Sequence, residues 1–226
     1  MGKLYIVIPA YNEEENIEAV IKDWYPIVEK IGNGSRLVIV DDGSKDATYS
    51  IIKQAAEKLD ALVPLTKPNG GHGSTILYGY KYALEQGADY IFQTDSDGQT
   101  LSLEFWPFWD KREIADMVIG HRKNRQDGIL RIFVTKVLKF ILLACFGVWI
   151  KDANTPFRLM KAQTLGRYIN LIPDGYNLTN VVISVIFARK KLKVEYMPIT
   201  FRPRQGGTNS INMKKIFRIG RQAIRD

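Results

Sequence analysis

Leu4-Tyr5-Ile6-Val7-Ile8 is an apolar run without polar alternation, the pattern of a parallel strand covered on both faces. It ends at Pro9-Ala10-Tyr11-Asn12-Glu13. Asn12 as an N-cap, followed by the acids Glu13, Glu14 and Glu15, predicts a helix to about Ile31, where Gly32-Asn33-Gly34 stops it. The pattern then repeats. Leu37-Val38-Ile39-Val40 is a second buried strand running into Asp41-Asp42-Gly43-Ser44, and Lys45-Asp46-Ala47-Thr48 opens a helix to about Leu59. Ala61 to Leu65 reads as a weaker third strand, the loop Lys67 to Ser74 follows, and a helix runs from about Ser74 to Gln86. Tyr90-Ile91-Phe92-Gln93 is a fourth strand, with later ones at Met117 to Gly120 and Lys193 to Ile199. Strand-helix alternation of this kind predicts right-handed βαβ units and an α/β fold with a mostly parallel sheet.

Ligands of such sheets bind beyond the carboxyl ends of the strands. Pro9 to Glu13, Asp41-Asp42, Lys67 to Gly73 and Asp95 to Gln99 all fall there. The last of these carries two aspartates one residue apart, so Asp95 and Asp97 project to the same side of an extended segment. Two hard oxygen donors suit Mg²⁺ or Mn²⁺, which keeps several waters and binds substrate phosphates. A solvated Asp/Gly turn is the alternative for that segment alone; four polar strand ends on one edge favour a site. Gly70-Gly71-His72-Gly73 matches neither the P-loop nor the dinucleotide spacing, which argues against a Walker NTPase or a nicotinamide enzyme. His72 reads as structural or exposed rather than catalytic.

With 226 residues, 46% of them hydrophobic, one sizeable domain over residues 1–226 is expected. The single Cys145 excludes an intramolecular disulfide, fits a reducing compartment, and reads as buried packing. The net charge of +8 is concentrated in two blocks, Arg122 to Lys139 and Lys214 to Arg225, which favours a polyanionic partner. Ile129 to Ile150 is mostly apolar, but Arg131, Lys136 and Lys139 interrupt it. A charge near the centre of a membrane span costs roughly 2.5–3.5 kcal/mol, so an interfacial helix or helix pair is the better reading, with an amphipathic core helix as the alternative. From Ile211 the chain is basic and amphipathic, and each Lys or Arg near an anionic leaflet gains about 1 kcal/mol.

Val7 to Glu14 and Val40 to Thr48 resemble the two nucleotide-binding signatures of the family-2 glycosyltransferases with a GT-A (Rossmann-like) fold, and Asp95-Ser96-Asp97 resembles their DxD motif. With Gln99 after the DxD, the subgroup is similar to the polyprenyl-phosphate (dolichyl-phosphate) sugar transferases. The resemblance runs from about residue 4 to 213 and implies a nucleotide-sugar half over about 1–120, an acceptor half over about 121–213, and a basic membrane-associating tail over 211–226. It implies that Pro9, Ala10, Tyr11, Glu13, Asp41, Asp42, Lys67, Asp95 and Ser96 contact the nucleotide-sugar. Asp95, Asp97 and Gln99 would hold Mg²⁺ or Mn²⁺, with Asp97 and Arg131 counted as catalytic.

Arg122, Arg131, Arg202, Arg204 and Ser210 are expected near the acceptor phosphate or the donor diphosphate. A guanidinium fork suits phosphate geometry. Phe201-Arg202-Pro203-Arg204-Gln205-Gly206-Gly207-Thr208-Asn209-Ser210 is similar to a closing segment of relatives, which could exclude water as lids do; a plain tail is the alternative. Asn180 stands near where many relatives place an acid, which favours a lipid-phosphate acceptor over a hydroxyl needing a base. The implied activity is an inverting, metal-dependent transfer from a UDP- or GDP-sugar to a polyprenyl (undecaprenyl or dolichyl) phosphate. The implied place is the cytoplasmic face of the membrane, with an anionic membrane surface as partner, the chain being peripheral or cut from a membrane-anchored protein. Two alternatives stay open: the same donor chemistry onto a saccharide or glycolipid hydroxyl in cell-surface polysaccharide synthesis, and a basic nucleic-acid-binding protein. The acidic strand ends argue against nucleic acid, because they repel phosphate unless a cation intervenes.

Overall fold

The computed structural model describes residues 2–122 and 142–202. Strands β1 (Leu4–Ala10), β2 (Arg36–Asp41), β3 (Leu62–Thr66), β4 (Tyr90–Gln93), β5 (Met117–Arg122), β6 (Arg158–Lys161) and β7 (Val194–Ile199) form one sheet. Their order across it is β3-β2-β1-β4-β6-β5-β7. Among these strands β6 alone runs against its neighbours, β4 and β5; the other pairings are parallel. The helices are α1 (Ile17–Ile31), α2 (Thr48–Ala56), α3 (His72–Glu85), α4 (Phe105–Asp110), α5 (Ala162–Tyr168) and α6 (Thr179–Arg189). This is the expected α/β architecture, and the carboxyl ends of all six co-directional strands share one edge.

Period-two alternation explains why β1 and β2 read as uninterrupted apolar runs. Leu4, Ile6, Ile8, Leu37 and Ile39 enter one core with α1 and α4, whereas Tyr5, Val7, Val38 and Val40 enter the other with α3. Phe92 of β4 sits in the first core with ring centroids 4.7 Å from Phe157, 5.1 Å from Phe105 and 5.4 Å from Trp24. Each such pair adds about 0.5–1.5 kcal/mol beyond burial, which anchors the strand that delivers Asp95 to the edge.

Three features depart from expectation. First, α1 starts at Ile17, because Asn12 adopts a left-handed backbone (φ 53) and accepts a hydrogen bond from the Lys45 amide at 2.9 Å instead of capping the helix. Second, β6 and the helices α4 to α6 had no expected counterpart; Arg158 in the centre of an apolar segment hides the strand. Third, Cys145 is exposed, not buried. Residues 142–146 are helical, and Leu142 packs with Val148, Ile150, Val181 and Val185 while residues 143–147 face outward. Most of the Ile129 to Ile150 run and the whole basic tail lie outside the described residues. No helix of the described residues is long and apolar enough to cross a membrane.

Candidate active site

The loops after β1 and β2 are tied to each other. The Asn12 amide donates to the Ser44 hydroxyl at 2.9 Å, the Glu13 amide to the Thr48 hydroxyl at 2.8 Å, and the Ala47 amide to the Glu14 carboxylate at 2.9 Å. Asp46 completes the join, accepting from the Thr48 amide at 3.0 Å and the Glu14 amide at 3.3 Å. Burial works against ionisation of Asp46, but the Thr48 hydroxyl and these amides hold its carboxyl below the ordinary range. The result is a fixed rim. Pro9 and Ala10 close β1 opposite Val40 and Asp41, and Tyr11 stands exposed beyond them. Glu13 is buried, with its carboxylate on the Asn16 amide at 2.7 Å.

Asp41 and Asp42, both buried, organise the next loop from two sides. Asp41 accepts from the Thr66 hydroxyl at 2.9 Å and the Ser44 amide at 3.2 Å. Asp42 receives the Lys67 ammonium and the amides of Gly70 and Gly71, at 2.9 and 2.8 Å. A carboxylate with three donors pins the glycine loop in a single course. At Gly73 a side chain is impossible, since a Cβ would collide with the backbone of Tyr176 and Asn177. Thr179 closes that contact by donating to the Gly73 carbonyl at 2.9 Å.

This path delivers His72, whose Nε2 lies 2.9 Å from Asp95 Oδ1. Desolvation disfavours the imidazolium, yet the charges of Asp95, Asp97 and Asp42, with the Asp95 hydrogen bond, raise its pKa above the ordinary value. Three carboxylates from the ends of β2 and β4 therefore act on one imidazole. Beyond β4, Thr94 and Thr100 join hydroxyls at 2.7 Å, and Gly98 takes φ 69 so that the chain reverses after Asp97. The Gln99 amide returns to Asp97 Oδ1 at 3.1 Å. Gln99 is also clasped to the segment that follows β7: its Nε2 donates to the Arg202 carbonyl at 2.9 Å, and the Arg202 amide donates to the Gln99 carbonyl at 2.8 Å.

Beneath this edge Arg158 is fully buried. Its guanidinium donates to the carbonyls of Thr155, Ala153 and Asn180 at 2.7, 3.2 and 3.0 Å, fixing the start of α6 against the sheet. Burial lowers its pKa, while Tyr80, Asp152 and Asp95 oppose that shift. Tyr80 donates to Gln93 at 2.8 Å in the same layer. Both amide atoms of Asn180, and the hydroxyl of Thr155, are buried without a protein hydrogen-bond partner.

Of the residues expected at a site, the fold gathers Pro9, Ala10, Tyr11, Glu13, Asp41, Asp42, Lys67, Asp95, Ser96, Asp97, Gln99 and Arg202 along one edge. Arg122 ends β5 on that edge, opposite Ile199. Arg131, Arg204 and Ser210 lie outside the described residues. His72, expected as structural or exposed, is exposed and meets Asp95. Missing from the expectation were the cross-links of Asn12, Ser44, Asp46 and Thr48, which needed the register of β1 on β2. Among the described residues no group of three His, Cys, Asp or Glu side chains could hold a metal. Asp95, Asp97 and the Gln99 amide oxygen are hard donors of the kind that would hold Mg²⁺ or Mn²⁺, a cation that takes few protein oxygens and fills its shell with water and phosphate.

The model of glycosyl transferase family 2 matches residues 5–168. An uncharacterized protein of Methanocaldococcus jannaschii is 31% identical over 97% of this chain and 96% of its own length. An undecaprenyl-phosphate 4-deoxy-4-formamido-L-arabinose transferase of Pectobacterium atrosepticum is 24% identical over 95% of this chain, which spans 64% of that protein. A crystal structure of glucosyl-3-phosphoglycerate synthase from Mycobacterium tuberculosis with Mn²⁺, UDP and glucosyl-3-phosphoglycerate superposes with a TM-score of 0.69 at 17% identity. It covers 99% of this chain and 77% of that one, a likeness of the GT-A fold.

Proposed function

From the premise that this chain belongs to glycosyl transferase family 2 and is a glycosyltransferase, we propose that it moves a sugar from a nucleotide-sugar to a polyprenyl phosphate. The observation that carries the reading is that the ends of β2 and β4 are joined through the glycine loop: Asp42 accepts from the Gly70 and Gly71 amides, and His72, next in the chain, meets Asp95 Oδ1 at 2.9 Å. Acidic strand ends at the edge of a doubly covered sheet are suited to a diphosphate only with a divalent cation. Bound at Asp95, Asp97 and Gln99, that cation supplies Lewis-acid neutralisation of the departing diphosphate. Cation and nucleotide in solved neighbours, and acceptor in relatives, support the assignment.

The chain's own residues do the positioning. Tyr11, Pro9 and Asp41 on the cross-linked rim receive the base and ribose, and the pinned glycine loop keeps His72 against Asp95. The acceptor oxygen forms its bond to the anomeric carbon as the bond to the diphosphate oxygen breaks, so the configuration inverts. A phosphate acceptor is anionic at neutral pH and needs no base. Asn180, an amide in the buried position at the start of α6, supports that choice over a hydroxyl acceptor, since it cannot take up a proton. The reaction is placed at a membrane surface because its acceptor is a lipid.

A thermal-shift panel of UDP-, GDP-, CDP- and dTDP-sugars with and without Mn²⁺, followed by transfer to undecaprenyl phosphate, tests this reading. One nucleotide should raise the melting temperature only with the cation, and the product should be cleaved by mild base. A stable glycoside would move the acceptor to a hydroxyl. No nucleotide response at all would defeat the donor assignment.

A further inference from the structure

Helix α6 is apolar on every side, and such a helix has to be covered all round. Val181 and Val185 pack on Leu142 and Ile150, and Ile183 and Phe187 pack on the core beside α3. Val182 and Ile186, one turn apart, are left half-buried. They form the floor of a groove of about 470 Å³, with Phe146 and Leu171 as walls, Tyr176 at one end and Arg189 and Lys190 at the other. That volume lies within the range of sites for small organic ligands, roughly 300–1,000 Å³.

The position of the groove is informative. Its Tyr176 end adjoins the glycine loop, where the Tyr176 carbonyl abuts Gly73, the neighbour of His72. From Thr179 to Arg189 the helix runs ~15 Å away from that edge. The far end carries two cations; Phe146 and Leu171 in the groove walls are 42% and 61% exposed, and Trp149, three residues after Phe146, is 67% exposed. Exposed apolar side chains, an outward tryptophan and terminal cations together match the chemistry of an anionic lipid leaflet.

We infer that this groove is the bed of the acceptor's hydrocarbon chain, which enters between Arg189 and Lys190 and leads its phosphate to the Asp95 edge. The inference rests on the lipid-phosphate reading above and adds the place where the lipid lies. It also explains why α6 combines a polar, buried start at Thr179 and Asn180 with an apolar remainder: the two stretches meet the two ends of one amphiphile.

The test uses dansylated farnesyl phosphate in fluorescence titrations of the full chain, with undecaprenyl phosphate as the transfer substrate. Phe146→Glu and Leu171→Glu are chosen because both side chains are already largely exposed, so that folding should survive. Each should weaken binding of the probe about tenfold, equivalent to about 1.4 kcal/mol, and raise KM for undecaprenyl phosphate by a similar factor. Leu171→Met should restore both, and the thermal shift given by UDP with Mn²⁺ should be unchanged throughout. If the wild type transfers to undecaprenyl phosphate while the glutamate variants keep its KM, the groove assignment fails and the acceptor reading stands. If the wild type neither binds the probe nor uses the lipid, both fail together. A loss of the UDP response in the variants, or a glutamate-induced change in oligomeric mass by sedimentation, would also overturn the groove, pointing to general damage or to a copy-to-copy interface.

Discussion

The two sides of the sheet edge handle their polar groups in opposite ways. On the side of β1 to β3, nearly every loop carboxylate and hydroxyl is spoken for: Asp41, Asp42, Asp46, Ser44 and Thr48 bond across loops, with distances of 2.8 to 3.3 Å. On the side of β6 and α6, the Thr155 hydroxyl and the Asn180 amide are buried with no protein partner, and among the described residues α6 also lines an apolar groove. A rigid, internally satisfied rim can receive an unchanging nucleotide at small entropic cost. Unsatisfied groups beside an apolar surface instead await something variable. Under the proposed function, that division would give the donor to the first region and the choice of acceptor to the second.

Breaking the first region should be costly. Asp42→Ala leaves the Lys67 ammonium and two glycine amides without their acceptor, with Asp42 and Lys67 side chains only 5% and 13% exposed. Removing one partner of such a pair destabilises by about 3–5 kcal/mol, which chemical denaturation would register as a lower midpoint. A loss under 1 kcal/mol, on the order of a surface pair, would mean that the knot does not organise the loop. Asp97→Asn tests chemistry rather than stability. It should leave the denaturation midpoint near wild type while lowering kcat by about 10²–10³, the scale of losing one electrostatic stabiliser of the transition state. The cation-dependent part of the nucleotide thermal shift should go with it. Unchanged turnover would remove Asp97 from the reaction.

The same division explains what could be read from residues alone. β1, β2 and their loops were legible because buried parallel strands make continuous apolar runs and end in glycine-bearing polar turns. Asp95 and Asp97 were legible as polar residues at a strand end, whereas the bend at residues 96–98 means that period-two alternation does not describe their segment. His72 is exposed as expected, but its contact with Asp95, 23 positions away, could not be read from neighbours in sequence. Arg158 concealed β6 more thoroughly. A charged residue opening a buried strand contradicts the local pattern, and the carbonyls of Ala153, Thr155 and Asn180 make its burial tolerable. Cys145 misled for a related reason: an apolar neighbourhood in sequence became an exposed face in space.

A matched substitution sharpens the contrast. Thr48→Val removes a hydroxyl that accepts from the Glu13 amide at 2.8 Å, stranding a buried donor, and should cost about 1–3 kcal/mol. Thr155→Val removes a hydroxyl that bonds to nothing in the protein, and should be neutral or stabilising by up to about 1 kcal/mol. Equal losses in urea titrations would erase the distinction between the two regions. The sign, more than the size, decides the outcome.

The smallest expected effect is one of pH. Asp46 has its carboxyl held below the ordinary 3.8 by the Thr48 hydroxyl and the amides of Thr48 and Glu14, against an opposing effect of burial. A depressed folded-state pKa means that the unfolded chain takes up the proton first. The contribution is therefore complete above the unfolded pKa and disappears as pH falls through the folded one. Asp46→Asn keeps an acceptor oxygen but no charge, so its deficit should be full at neutral pH and close progressively below about pH 4. Stability curves of the two proteins that stayed parallel down to pH 2 would show that the charge on Asp46 contributes nothing to the rim, and that neutral hydrogen bonds alone hold the β1 and β2 loops together.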